Sequence, residues 1–205
     1  TEVAILDDGF QHLKLQRNAD IVLINGQNPF GNGYLLPRGS LREPPEHLKR
    51  AHLILVTQPN GKEKSEEIKK VVSTYNAAAP VFFAHYVPIV LEKLKQKEKI
   101  PLDYLRGRKV VALAGVARPK SFIILLTQLG AEVVSTRFYP DHHRYQPHDL
   151  DKNEKNAIII TTGKDAVKLR SLPLSEEILV LDIDLKIEKE AEFQERLKNY
   201  LLFLW

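Results

Sequence analysis

The stretch KVVALAGVARPKSFIILLTQLGAEVVSTRF, Lys109–Phe138, decides the fold class. Its opening, Lys109–Ala114, is an apolar run without polar alternation, which reads as a strand buried on both faces. Gly115–Pro119 is a tight loop, Lys120–Leu129 a helix, and Gly130 the helix stop. Glu132–Phe138 is the next strand. A strand, a helix and a second strand in immediate succession form a crossover unit, so the sheet is parallel and covered by helices.

Working outward, the same alternation continues in both directions. Upstream, Val3–Leu6, Ile21–Ile24, His52–Thr57 and Pro80–Val90 read as strands, with Pro88 marking an edge or crossing. Residues 62–76 form an amphipathic helix with Ile68, Val71, Val72 and Tyr75 on its buried side. Between them lies a Gly, Pro and Asn-rich loop followed by a short helix over Pro44–Ala51. Downstream, Ala157–Thr162 and Ile178–Ile183 are strands and Glu188–Leu204 is a closing helix. The charged stretch Glu92–Arg108 reads as a linker or exposed connector between two α/β domains, residues 1–88 and 89–205, the second Rossmann-like.

Composition narrows the function classes. With 205 residues, 43% of them hydrophobic, the chain can bury a sizeable core. Thirty Lys and Arg against 26 Asp and Glu leave a net charge of only +4, a weak footprint for nucleic acid, and none is expected as a partner. The absence of cysteine removes disulfides, thiolate metal sites and cysteine nucleophiles, and it is compatible with the cytoplasm. No apolar run reaches the ~18 residues of a membrane span, and no signal region opens the chain. A start on a strand-like run without methionine sets the expectation of a piece of a longer polypeptide.

Four places put chemistry-bearing side chains beside these strands. VAILDDGFQH, Val3–His12, drives an apolar run into Asp7 and Asp8. At the carboxyl edge of a parallel sheet, where open α/β folds bind ligands, they are either hard-oxygen ligands suited to Mg2+ or the polar start of a turn at Gly9. Gln11 and His12 make the cluster denser than a turn requires. After the glycine-rich loop, Arg42 offers a planar fork for phosphate and Glu43 a third carboxylate for a metal; the plain alternative is a surface ion pair. FYPDHHRY, Phe138–Tyr145, offers Asp141, His142 and His143 as a metal site, a general base with its orienting partner, or a phosphate-contacting cluster. In TTGKDAVKL, Thr162 or Asp165 caps a helix and Lys164 can meet an anion, capping being the preferred reading.

Taken in order, LDDGFQH, LLPRGSLREP, ALAGVARPKSF, FYPDHHRY and TTGKDAVKL resemble the tetraacyldisaccharide 4'-kinase family, the lipid A 4'-kinases of Gram-negative bacteria, over nearly the whole chain. The resemblance implies a P-loop NTPase-type kinase domain, of which residues 1–88 would be the C-terminal half. It implies transfer of the γ-phosphate of ATP, with Mg2+, to the 4'-hydroxyl of a tetraacyldisaccharide 1-phosphate, forming lipid IVA. By the same resemblance, Asp7 and Asp8 match the Mg2+–ATP carboxylates, with Gln11 and His12 near phosphates and substrate. Arg42 and Glu43 match an Arg-Glu pair assigned to phosphate stabilisation and metal support. Asp141 and His142 match a motif whose histidine pairs with an upstream aspartate acting as base.

The resemblance also implies peripheral association with the cytoplasmic face of the inner membrane through a segment before residue 1. Two departures stand beside it. The pattern G-x-x-x-x-G-K-[ST] is absent, the Gly-Lys pairs being Gly61-Lys62 and Gly163-Lys164, so this chain alone is expected to lack kinase activity. Gly163 also stands where the family often has Glu. Two other classes remain open on the residues themselves. A metal-dependent phosphoesterase would need two metals about 3.5–4 Å apart with convergent ligands, and a non-catalytic nucleotide-binding domain would leave Asp8, Glu43 and His142 dispersed.

Overall fold

The computed structural model describes residues 3–59, 61–116, 119–140, 143–150, 156–173 and 177–202. It is an α/β structure whose long strands pair in parallel, as the crossover pattern predicts. Two compact units are present: Thr1–Tyr86 together with Leu185–Trp205, and Val87–Asp184. The C-terminal segment therefore packs with the first unit and not with the second, as the sequence division had it.

In the first unit β1 (Ile21–Asn25), β2 (Leu53–Thr57) and the start of β3 (Val81–Lys93) lie side by side in parallel. Because side chains alternate along a strand, β2 serves two cores. Ile54 and Val56 pack with Ile68 and Val72 of helix α1 (Gly61–Tyr75), while Leu53 and Leu55 pack with Phe82, Ala84 and Phe193 on the other face. Phe193 belongs to the C-terminal helix (Glu190–Leu202) and meets Phe82 edge-on, its ring centroid 5.2 Å away. That contact, with Leu197 and Tyr200 beside it, holds the C-terminal segment to the first unit. On α1 the expected buried face is narrower than the pattern suggested: Val71 is exposed.

Val3–Leu6 is not a strand, and Ile5 is 92% exposed. An apolar run becomes a strand only where a neighbour supplies backbone partners, and no described residue does so here.

The second unit contains the end of β3, a short β4 (Lys99–Ile100), β5 (Lys109–Ala114), β6 (Glu132–Phe138), β7 (Ile158–Thr162) and most of β8 (Ile178–Ile187). β4 returns antiparallel against β3, with Leu91 opposite Ile100, and Leu94 and Leu105 are buried. The expected linker is thus a hairpin and a 3-10 turn anchored by leucines; its charged residues from Lys95 to Lys99 are exposed, whereas Glu92 and Lys93 are partly buried in ion pairs with Arg170 and with Glu98 and Glu177. β5 is central, paired with β6 on one side and β7 on the other, and β7 pairs onward with β8. Val110, Ala112 and Ala114 face Phe122 and Leu126 of helix α2 (Pro119–Gln128). Val111 and Leu113 face Ala166 and Leu169 of helix α3 (Gly163–Leu169). Gly130 ends the α2 segment with φ of 82°, a left-handed turn that favours glycine.

Candidate functional site

In the first unit the site residues gather where the chain leaves residues 3–6. Asp8 has a left-handed backbone, φ 53°, and precedes a single 3-10 turn over Gly9–Gln11. This reversal brings the Asp8 carboxylate to Arg42, 34 residues away in sequence, as an ion pair. Both side chains are more than half exposed (65% and 58%). An exposed pair contributes only about 0–1 kcal/mol to stability, so folding gives little reason for this pairing. Asp7, Gln11 and His12 are exposed beside it. Gln11 and His12, with Leu13 to Leu15, line a shallow open pocket.

Arg42 and Glu43 are adjacent in sequence but part company. Glu43 accepts from Arg50 and lies 2.7 Å from His47 Nδ1, while the Arg50 guanidinium sits 4.3 Å above the Phe10 ring. Glu43 thus ties the loop after Arg42 to the short helix over Pro45–Arg50 and, through Arg50, to the turn carrying Asp8. It is not brought to Asp7 and Asp8: among the described residues no group of three or more His, Asp or Glu is placed to hold a metal. The donors that fit Mg2+ are the two exposed carboxylates Asp7 and Asp8, because Mg2+ commonly takes one or two protein carboxylates and completes its octahedron with water and phosphate.

In the second unit β5 sends its connection toward β6, whereas the chain later reaches β7 on the opposite side. Open α/β sheets bind ligands at such a reversal, outside the carboxyl ends of the strands. Here that place is filled by the protein itself. Asp165 is fully buried, and its Oδ2 accepts from Gly115 N–H (2.9 Å) and from Thr162 Oγ1 (2.8 Å). Thr162 returns an acceptor to Asp165 N–H, the expected helix cap. A β-carbon at Gly115 would lie 3.0 Å from both Asp165 Oδ1 and Tyr145 Oη, so a larger residue there would crowd these two oxygens. Burial, followed by the nearby Asp165 charge, pushes the Tyr145 hydroxyl far above its ordinary value.

Asp141 and His142 lie outside the described residues. On their far side, His143 is held in place. Its ring stacks on Tyr139 (4.2 Å, 15°), meets Tyr145 edge-on, and its Nε2 lies 3.0 Å from Asp149 Oδ2. Asp149 also accepts from Gln146 N–H at 2.8 Å, and its carbonyl accepts from Arg137. Burial alone would raise the Asp149 pKa, but the Gln146 amide, His143 and Tyr139 together hold it below the ordinary carboxylate value.

The sign of the resulting pH effect follows. A depressed folded value gives stability that is present above about pH 4 and lost as the pH falls through the folded value. Asp149→Asn is expected to remove this acid-side loss, as read by urea unfolding from about pH 6 down to about pH 2.5. An acid limb identical to wild type would refute the assignment. Asp149 was missed in the sequence because nothing in QPHDL marks its aspartate as the partner of a histidine six residues earlier.

A model of the family described as tetraacyldisaccharide-1-P 4'-kinase matches residues 1–202. Tetraacyldisaccharide 4'-kinase from Halothermothrix orenii is 38% identical, the match covering 97% of this chain and 58% of the relative. The protein of the same name from Anaeromyxobacter dehalogenans is also 38% identical, with coverage of 95% and 54%. Among solved structures, the "apo" form of LpxK from Aquifex aeolicus in complex with ATP is similar at a TM-score of 0.66 and 27% identity, covering 94% of this chain and 56% of that one. This chain thus spans somewhat more than half the length of these relatives.

Proposed function

The chain belongs to the tetraacyldisaccharide-1-P 4'-kinase family, and from that membership we propose that its whole protein transfers the γ-phosphate of ATP to the 4'-hydroxyl of a tetraacylated glucosamine disaccharide 1-phosphate. The acceptor oxygen bonds to the γ-phosphorus, the bond to the β–γ bridging oxygen breaks, ADP leaves, and the hydroxyl proton passes to a base. The observation that carries this reading is the Asp8–Arg42 ion pair, which joins two motifs distant in sequence at an exposed position where it adds little to folding.

Within this proposal Asp7 and Asp8 hold Mg2+, which offsets the charge of the phosphates when bound with ATP. Arg42, already aligned on Asp8, supplies a guanidinium fork to a phosphate oxygen, and Glu43 fixes the loop that presents it. Gln11 and His12 border the phosphates and the acceptor. His142, with Asp141, belongs to the base assembly. The nucleotide-cradling G-x-x-x-x-G-K-[ST] pattern is not in this chain, so the 205 residues alone are expected to be inactive. The acyl chains of the acceptor place the reaction at a membrane surface, and peripheral binding at the cytoplasmic face of the inner membrane is part of the proposal. No helix among the described residues is long and apolar enough to cross a membrane.

The test is ATP-dependent labelling of the tetraacyldisaccharide 1-phosphate by a polypeptide of full family length containing this chain. Arg42→Ala is expected to lower kcat about tenfold, or ~1.4 kcal/mol of barrier, with an unchanged unfolding midpoint. Absence of lipid labelling would overturn the reading. Manganese-dependent phosphate release without lipid acceptor would favour a phosphoesterase instead.

A further inference from the structure

The loop that leads to Arg42 is closed on itself and carries large apolar side chains outward. Leu36 N–H donates to Leu41 O (2.9 Å), Leu41 N–H to Tyr34 O (3.2 Å) and Gly39 N–H to Leu35 O (2.9 Å). Asn32 ties the base, its side chain donating to Arg38 O and accepting from Tyr34 N–H. A β-carbon on Gly39 would fall 2.1 Å from Tyr34 O, so the two limbs meet with no room for a side chain between them. On this frame Tyr34 (45%), Leu35 (43%) and Leu36 (62%) are exposed, and the Arg38 guanidinium lies 3.7 Å from the centre of the Tyr34 ring. A backbone bonded in this way keeps the side chains where they are, and large apolar groups held together in water mark a contact surface.

The charge around the loop selects the partner. Between Asp8 and Glu43 the chain has a single acidic residue, Asp20, and it is paired with Arg17 at 2.7 Å. Lys14, Arg38 and Arg42 are exposed in the same span. The Asp8–Arg42 pair joins the end of the loop to the turn that precedes Gln11–Leu15, where Leu13 (68%) and Leu15 (49%) are exposed on either side of Lys14. Leucines and a tyrosine set among lysine and arginine, with no unpaired carboxylate between them, suit an anionic phospholipid surface. Its acyl boundary takes the apolar groups and its phosphates take the cations.

We propose that Tyr34–Arg38 is a membrane-interface wedge: Leu35 and Leu36 enter the acyl boundary of an anionic bilayer, with Tyr34 and Arg38 among the headgroups. Leu41 joins this loop directly to Arg42, so the depth of insertion fixes the height of the guanidinium at headgroup level. The inference deepens the kinase reading and rests on it, because an acylated acceptor presents its sugar at that level. The tip is a chain reversal with its side chains outward, a shape that enters an interface; enclosing one acyl chain would take walls around it.

The test sediments a polypeptide of full family length, without ATP or acceptor, with vesicles of phosphatidylethanolamine and phosphatidylglycerol and with vesicles of phosphatidylcholine alone. Replacing both leucines (Leu35→Ser with Leu36→Ser) is expected to lower the partition coefficient on the anionic vesicles about tenfold or more. Arg38→Gln should lower it about fivefold on the anionic vesicles and leave it unchanged on phosphatidylcholine, and high salt should remove that difference. Val167→Ser, an exposed apolar position on α3, serves as the control and should change neither. The unfolding midpoint should stay at wild type in all of them. In lipid phosphorylation the double variant should raise KM for vesicle-embedded acceptor about tenfold, with KM for ATP within about twofold of wild type.

Unchanged partition of the double variant, with lipid phosphorylation intact in the parent, overturns the wedge and leaves the kinase reading standing. A lowered unfolding midpoint with unchanged partition also overturns it, since the two leucines then pack against the remainder of the polypeptide. An equal effect of Arg38→Gln on both kinds of vesicle overturns the choice of an anionic surface. Partition lost as expected in a parent that phosphorylates no lipid overturns the kinase reading and leaves the membrane contact.

Discussion

Asp8→Ala in a polypeptide of full family length is expected to lower kcat for lipid phosphorylation about a hundredfold or more, at least ~2.7 kcal/mol of barrier, while leaving the unfolding midpoint close to wild type. Separation of the two readouts is the point of the experiment. Asp8 is exposed, and its only described polar contact of note, Arg42, is exposed as well, so loss of the pair removes about 0–1 kcal/mol of stability. Its backbone is left-handed, which aspartate and asparagine tolerate better than alanine. Asp8→Asn therefore serves as the control: it keeps the backbone preference and removes the charge. If Asp8→Asn is as slow as Asp8→Ala, the carboxylate is the required group. If it keeps wild-type kcat, Asp8 shapes the turn and the metal assignment fails.

The contrast between Asp8 and Asp165 shows which parts of the site were legible in the sequence. Two-faced apolar runs such as Lys109–Ala114 announced buried parallel strands because burial on both sides leaves no polar alternation to read. The Asp-Asp-Gly-x-Gln-His cluster was read as the end of a strand at a sheet edge, but the residues before it form no strand, so only the adjacency of its polar side chains along the chain was legible. Its encounter with Arg42 was not, since the pairing depends on a reversal at Asp8 and on the path of a long loop.

Val3–Leu6 failed as a strand because the same apolar pattern needs a neighbour that the sequence cannot supply locally. The linker over Glu92–Arg108 failed because charge dominates its composition, whereas three leucines, Leu94, Leu102 and Leu105, govern its packing. Asp149 partners His143 six residues away and Asp165 partners Gly115 fifty residues away, and no helical or strand period encodes either.

Asp165→Ala is expected to destabilise the protein by about 1–3 kcal/mol, for the buried Gly115 N–H left without an acceptor, while the Thr162 cap on the backbone N–H of residue 165 is kept. In a chemical melt this lowers the midpoint at constant slope. Asp165→Asn, which can still accept from Gly115 and Thr162, should cost less than half as much. The structure also predicts a coupling. Gly115→Ala alone introduces a β-carbon 3.0 Å from both Asp165 Oδ1 and Tyr145 Oη, an overpacked contact worth about 1–3 kcal/mol. With Asp165 already reduced to alanine, one of the two obstructing atoms is absent, so Gly115→Ala should cost measurably less in the double variant than alone. Additive effects would mean that Gly115 and Asp165 do not share the space at the end of β5. A less than additive cost would establish that the carboxylate occupies the position outside β5 and β7 where such sheets ordinarily receive a ligand.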